Sequence, residues 1–200
     1  MTTPFNFITL TLSFYDERIT NYPLDFIVTF AVNGAMVVVV FFCLAKPGIA
    51  RHTIMINLAI LLAGFFTLLL PFVVVLSGDN QALAFWLTIP LMFLVGIAQA
   101  TALTQTLSYM SYMPERFMAL NSMGIGFSGL LSLLVNAILQ LIFDSKSQDF
   151  TRTTISYFIC FLIMAGASSM YFVEKNSNYA RYFIELAEHA SKQERAHSKA

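Results

Sequence analysis

Charged residues divide this sequence into five long uncharged stretches, and this distribution limits the possible folds. No Asp, Glu, Lys or Arg lies between Asp25 and Lys46, and four later stretches are equally free of charge. About 20 apolar residues are enough for a helix to cross a bilayer. The stretches are continuously apolar rather than alternating, which excludes barrel strands. We therefore predict an all-α integral membrane protein with five full spans, at about residues 24–45, 53–76, 82–113, 117–143 and 153–173.

The composition agrees with this prediction. Hydrophobic residues make up 58% of the chain and charged residues 11%, whereas a soluble domain carries about 25% charged residues. The formal net charge of zero argues against a nucleic-acid partner, which needs a basic surface. Cys43 and Cys160 both lie in uncharged stretches and the three histidines are scattered outside them. We therefore expect no disulfide scaffold, metal site or cofactor.

The first 15 residues are apolar but too short to form a complete span. We interpret them as the outer half of a first helix whose beginning is missing. Most Lys and Arg residues fall on the side that holds the loop from Lys46 to His52, the turn from Pro114 to Arg116 and the C-terminus. The positive-inside rule places that side in the cytoplasm. Residues 1–175 thus form the predicted membrane bundle, and 176–200 a cytoplasmic helical tail.

The spans contain neutral polar residues instead of charges, so nothing indicates an ion or proton relay. For most of these residues we expect hydrogen bonds between helices. The fourth helix carries polar groups on more than one face between Gln99 and Ser111, which indicates a central position and suits an uncharged polar solute. The polar residues considered are Asn33, Asn57, Thr67, Gln99, Thr101, Thr104, Gln105, Thr106, Ser108, Asn136 and Ser169.

The fifth helix contains the pattern GxGxxG at Gly124, Gly126 and Gly129. A dinucleotide-binding motif of this form needs a preceding strand, which an uncharged membrane span does not supply. We interpret the glycines as a helix-packing or bending surface.

Several motifs, in order along the chain, resemble the equilibrative nucleoside transporter family. Pro4-Phe5-Asn6 and then Phe7-Ile8-Thr9 are similar to Pro-Trp-Asn and Phe-Ile-Thr of the family's first helix. The fourth and fifth helices have the family's small residues, glutamine, proline turn and glycine pattern, at Gly96, Ala98, Ala100, Gln105, Pro114, Gly124, Gly126 and Gly129. The sixth helix begins Tyr157-Phe158-Ile159, and Tyr179-Ala180-Arg181-Tyr182-Phe183 is similar to the family's ending of that region.

The resemblance implies the N-terminal helical bundle of a major-facilitator-like transporter. Its ligand would be a nucleoside or nucleobase, and its membrane the plasma membrane. The implied substrate-binding residues are Phe5, Asn6 and Gln105, with Gln99 an alternative to Gln105, and the glycines of the fifth helix would form a gating or packing surface. Phe5 replaces the family's Trp and lacks its indole donor. The family's charged pair lies in a C-terminal half that this chain does not contain.

Other functions remain open at this stage. A carrier for another neutral metabolite would use the same polar helix equally well, and a membrane scaffold or remnant that transports nothing is a third hypothesis. We do not expect an enzyme, because no catalytic triad, carboxylate pair or metal-ligand set reaches a common membrane depth. Because one bundle forms only one wall of a pathway, we expect these 200 residues not to transport alone.

Overall fold

A computed structural model describes residues 3–16, 19, 24–45, 53–78, 80–111, 113–143 and 148–186. Every regular element among them is a helix. The loops predicted at 17–18, 20–23 and 46–52, and the tail beyond residue 186, lie outside the described residues. The helices are α1 (Thr3–Leu10), α2 (Leu12–Asp16), α3 (Leu24–Ala45), α4 (Thr53–Leu76), α5 (Gln81–Met110), α6 (Glu115–Ile142) and α7 (Asp149–Lys175).

Four of these helices contain segments long and apolar enough to cross a membrane. The segments are Ile54–Leu76, Gln81–Met110, Glu115–Ile142 and Asp149–Lys175. Helix α3 is 22 residues long, and its shorter apolar part is Ile27–Cys43. The first predicted helix consists of two short pieces, α1 and α2, and residues 178–186 form a further helical segment after α7. The four long helices are compatible with a multi-pass membrane protein.

The surface of the bundle is largely apolar, and its mainly apolar interior also contains buried polar side chains. Large side chains such as Phe127, Leu141 and Leu76 are 63%, 86% and 85% exposed, whereas Thr67 and Thr88 are completely buried. A soluble monomer rarely exposes a large continuous apolar surface. The distribution therefore fits a protein surrounded by lipid, as the uncharged stretches predict.

Several buried or half-buried hydroxyl groups bond within their own helices. Thr67, Thr88, Thr101 and Thr104 each donate to the carbonyl oxygen four residues earlier, over 2.7–2.8 Å. Our expectation that most polar residues bond between helices is thus wrong for these threonines, because a hydroxyl on a helix can reach the preceding turn without a partner. A bond between helices does form from Ser168 Oγ to Asn57 Oδ1, at 3.1 Å.

Small residues determine how closely the helices approach. Helix α5 packs against both α3 and α4, and α4 also packs against α7. At Gly96 of α5, a Cβ atom would lie 2.8 Å from both the Cβ of Ala35 and the carbonyl oxygen of Val32. At Gly64 of α4, it would lie 3.2 Å from the Cβ of Met164 on α7. These two glycines, rather than those of α6, mark the tightest helix contacts.

The helical segment 178–186 packs against the beginning of α6. The guanidinium Nη2 of Arg116 donates to Tyr179 Oη at 3.2 Å, and the Tyr179 ring lies 5.9 Å from Phe117 and 4.9 Å from Phe183. Ala180 is only 1% exposed. The turn between α5 and α6 and the segment after α7 are therefore at the same end of the bundle.

We predict that Gly96→Ala lowers the thermal stability of the detergent-solubilised protein. The added methyl group meets the backbone of α3, which cannot move aside as a flexible side chain could, and overpacking of this kind costs about 1–3 kcal/mol. The expected fall in Tm is about 2–4 °C for each kcal/mol. Gly166→Ala is the matched control, because a Cβ at Gly166 has no atom within 4 Å in the described structure. Equal Tm values for the two variants would contradict the close contact of α3 with α5.

Candidate functional site

The candidate site is centred on Asn6, where the first helix contacts α6. Its Nδ2 atom donates a long hydrogen bond of 3.5 Å to Ser128 Oγ. The hydroxyl of Ser128 donates in turn to the carbonyl oxygen of Ile125 at 2.7 Å, which leaves the Ser128 oxygen to accept from Asn6. A Cβ on Gly129 would lie 3.7 Å from the same Nδ2 atom. Asn6 thus contacts the third glycine of the GxGxxG pattern, although 122 residues separate Asn6 from Ser128.

Phe5 and Asn6 are both half-buried in α1. Phe5 packs against the apolar core, whereas the neighbouring Phe7 and Ile8 are completely buried within it. Helix α1 packs against α6, α7 and α4. These contacts fix α1 by its buried side and leave Phe5 and Asn6 partly open at the edge of the bundle.

The two candidate glutamines lie on α5. Gln105 is 1% exposed and Gln99 is 3% exposed. The Gln99 Oε1 atom is fully buried and accepts no hydrogen bond from the described residues. A buried amide oxygen in that condition costs about 1–3 kcal/mol, which a bound ligand or water molecule would offset. Burial alone therefore does not choose between Gln99 and Gln105, and both stay candidates.

The first two glycines of the pattern face open space. A Cβ at Gly124 or Gly126 would have no atom within 4 Å in the described structure. Of the four long helices, α6 is the least buried; its buried residues are Ser128, Ser132 and Leu139. Any packing or gating role of Gly124 and Gly126 stays a prediction, and it would involve a surface outside the described contacts.

The site is uncharged throughout. Its groups are a primary amide, a serine hydroxyl and a half-buried aromatic ring. No group of three or more His, Cys, Asp or Glu side chains that could hold a metal ion occurs in the described part of the chain. Such a site can donate and accept neutral hydrogen bonds and stack against a flat ring.

Ser128 is the residue of this site that sequence reasoning missed. It lies inside the GxGxxG pattern, directly before Gly129, and is 8% exposed. The available signal was its position next to Gly129 in the pattern. Which residue of another helix it meets is determined by the tertiary packing.

The chain was compared with models of known protein families, with curated proteins and with solved structures, and no match was found.

Proposed function

We propose that this chain forms the N-terminal bundle of an equilibrative nucleoside transporter and takes part in facilitated diffusion of nucleosides or nucleobases. One observation supports this most directly. Two of the motifs that carry the resemblance, Pro4-Phe5-Asn6 and the glycine pattern of α6, are far apart in sequence, but Asn6 lies next to Gly129. Sequence features that resemble a family by chance have no reason to converge on one site.

The chemistry of the site suits a neutral ring-containing solute. A nucleobase offers hydrogen-bond donors and acceptors at its edge and a flat face on either side. In the proposal Asn6 and Gln105, or Gln99 in its place, bind polar edges, and Phe5 stacks on the ring or packs against it. A charged ligand would need a counter-charge to offset its desolvation, and the described spans place none at this site.

Transport would occur by alternating access between two helical bundles. This bundle would supply one wall, and the largely exposed α6 with Gly124 and Gly126 would face a second bundle of the carrier. We also propose a plasma-membrane location with the C-terminus in the cytoplasm. The contact of Arg116 with Tyr179 supports this orientation, because it brings the turn that contains Arg116 and the segment after α7 to one end.

Uptake measurements on the complete gene that contains this sequence test the proposal. In cells without endogenous nucleoside transport, we expect saturable uptake of radiolabelled uridine or adenosine that follows the concentration gradient. No uptake of any nucleoside or nucleobase, with the protein present at the cell surface, would contradict it. Saturable uptake of a different neutral metabolite alone would favour the second hypothesis, a carrier of another specificity.

Within the same assay, we predict that Asn6→Ala raises the KM for uridine. The substitution removes one or two neutral hydrogen bonds, each worth about 0.5–1.5 kcal/mol, and therefore an increase of about twofold to tenfold per bond is expected. Asn178→Ala is the matched control, since it also removes an asparagine amide but from an exposed position in the segment after α7. A KM that is unchanged in Asn6→Ala, or raised equally in both variants, would exclude Asn6 from the site.

A further inference from the structure

The first helix is broken at Thr11, five residues after Asn6. Helix α1 ends at Leu10 and α2 begins at Leu12. At the break, the Thr11 amide donates to the carbonyl oxygen of Ile8 at 3.1 Å, three residues back instead of the four of an α-helix. The carbonyl oxygen of Phe7 accepts from the Thr11 side chain, Oγ1, at 2.9 Å. A side-chain hydroxyl therefore occupies the position of the missing amide donor.

Two tyrosines extend this bond into a chain of hydroxyl groups. Thr11 Oγ1 lies 2.6 Å from Tyr157 Oη, and Tyr15 Oη donates to Tyr157 Oη at 3.1 Å. Each hydroxyl has one proton. Because Thr11 uses its proton on the Phe7 carbonyl oxygen, Tyr157 donates to Thr11 and accepts from Tyr15. The order of donation is Tyr15, Tyr157, Thr11 and then the backbone of Phe7.

This hydroxyl chain is completely internal and joins three parts of the fold. Tyr15 and Tyr157 are 0% exposed, and Thr11 is 4% exposed. Tyr157 belongs to α7, whereas its partners lie at the break and in α2, on the far side of the break from Asn6. Hydrogen bonds between buried hydroxyl groups are stronger than those in water, and an unpaired member is costly. The chain therefore holds the break and α2 against α7.

We propose that Tyr157 is a positioning residue for the candidate site. Its hydroxyl clamps the broken first helix to α7, and the clamp sets the direction in which α1 carries Phe5 and Asn6 towards Ser128 and Gly129. Among the described residues, the Tyr157 hydroxyl bonds to Thr11 and Tyr15 and not to the polar groups of the site. The effect of Tyr157 on transport rests on the proposed function, whereas its effect on the orientation of α1 does not.

Cross-linking tests the orientation without any transported ligand. In the complete protein, the pair Asn6→Cys and Ser128→Cys replaces two side chains whose polar atoms lie 3.5 Å apart, and mild oxidation is expected to join them by a disulfide. Tyr157→Phe keeps the ring and removes only the hydroxyl. We expect it to slow cross-linking by about twofold to tenfold, the effect of one neutral hydrogen bond.

The matched control is Thr153→Val, which removes a completely buried hydroxyl from the same helix, one turn from Tyr157. The Thr153 Oγ1 atom has no hydrogen-bond partner among the described residues, so its loss leaves the clamp intact. We expect unchanged cross-linking in this variant. Equal cross-linking rates in Tyr157→Phe and Thr153→Val would overturn the proposal.

Substitutions at the break provide a second test if Tyr157→Phe fails to fold. Thr11→Ser retains the hydroxyl and is expected to cross-link as fast as the parent. Thr11→Val has nearly the same shape but cannot bond to Tyr157, and it is expected to slow cross-linking as Tyr157→Phe does. Adding Tyr157→Phe to Thr11→Val should have little further effect, because both break the same chain. Fast cross-linking in Thr11→Val would contradict the clamp.

Uptake separates the inference from the proposed function. If the carrier transports uridine, Tyr157→Phe is expected to raise the KM by about twofold to tenfold with kcat little changed, since only the placement of binding residues is altered. A fall in kcat at constant KM would contradict a positioning role. A parent protein that transports nothing, but whose cross-linking depends on Tyr157, would reject the proposed function and retain the clamp.

Discussion

Hydrocarbon offers polar groups no hydrogen-bond partner. In a chain surrounded by lipid, this constraint affects the backbone, the side chains and the contacts between helices. Backbone groups are satisfied by helices. Threonine hydroxyls at Thr67, Thr88 and Thr101 turn back to the preceding turn of their own helix. Where the first helix breaks, the Thr11 hydroxyl bonds to the carbonyl oxygen of Phe7. The break is thus possible inside the bundle because a side-chain hydroxyl donates the hydrogen bond that the backbone amide would otherwise donate.

Because of the same constraint, the few polar contacts between helices indicate which helices pack together. The bond between Asn57 and Ser168, the contact of Asn6 with Ser128 and the hydroxyl chain through Tyr157 each join helices distant in sequence. Apolar side chains pack between the helices as well, with Gly96 and Gly64 allowing the closest approach. Polar groups therefore determine which helices meet at particular points, and small residues determine how closely the helices approach.

The helices could be predicted from the sequence because their ends are marked by charge. As helices, α3 and α4 begin and end at the predicted residues, and the ends of α5, α6 and α7 lie within four residues of those predicted. Four of the five predicted full spans are long and apolar enough to cross a membrane, whereas the described apolar part of α3, Ile27–Cys43, is shorter. The break at Thr11 was not predicted, since its cause is a hydroxyl bond to α7 that local sequence does not show. The pairing of Asn6 with Ser128 was missed for a similar reason. Sequence indicated Asn6 and Gly129 separately, but only packing brings them together.

In the proposed function, Asn6 lines a pathway open to water and to ligand. The most direct measurement is the rate at which Asn6→Cys, in the complete protein, reacts with a membrane-impermeant methanethiosulfonate reagent, because such reagents modify the thiolate that forms in water. Leu162→Cys is the reference, since Leu162 is 52% exposed on the apolar outer surface of α7. We expect faster labelling at Asn6→Cys than at Leu162→Cys, and slower labelling at Asn6→Cys when uridine is present. Equal labelling at the two positions, unaffected by uridine, would contradict it.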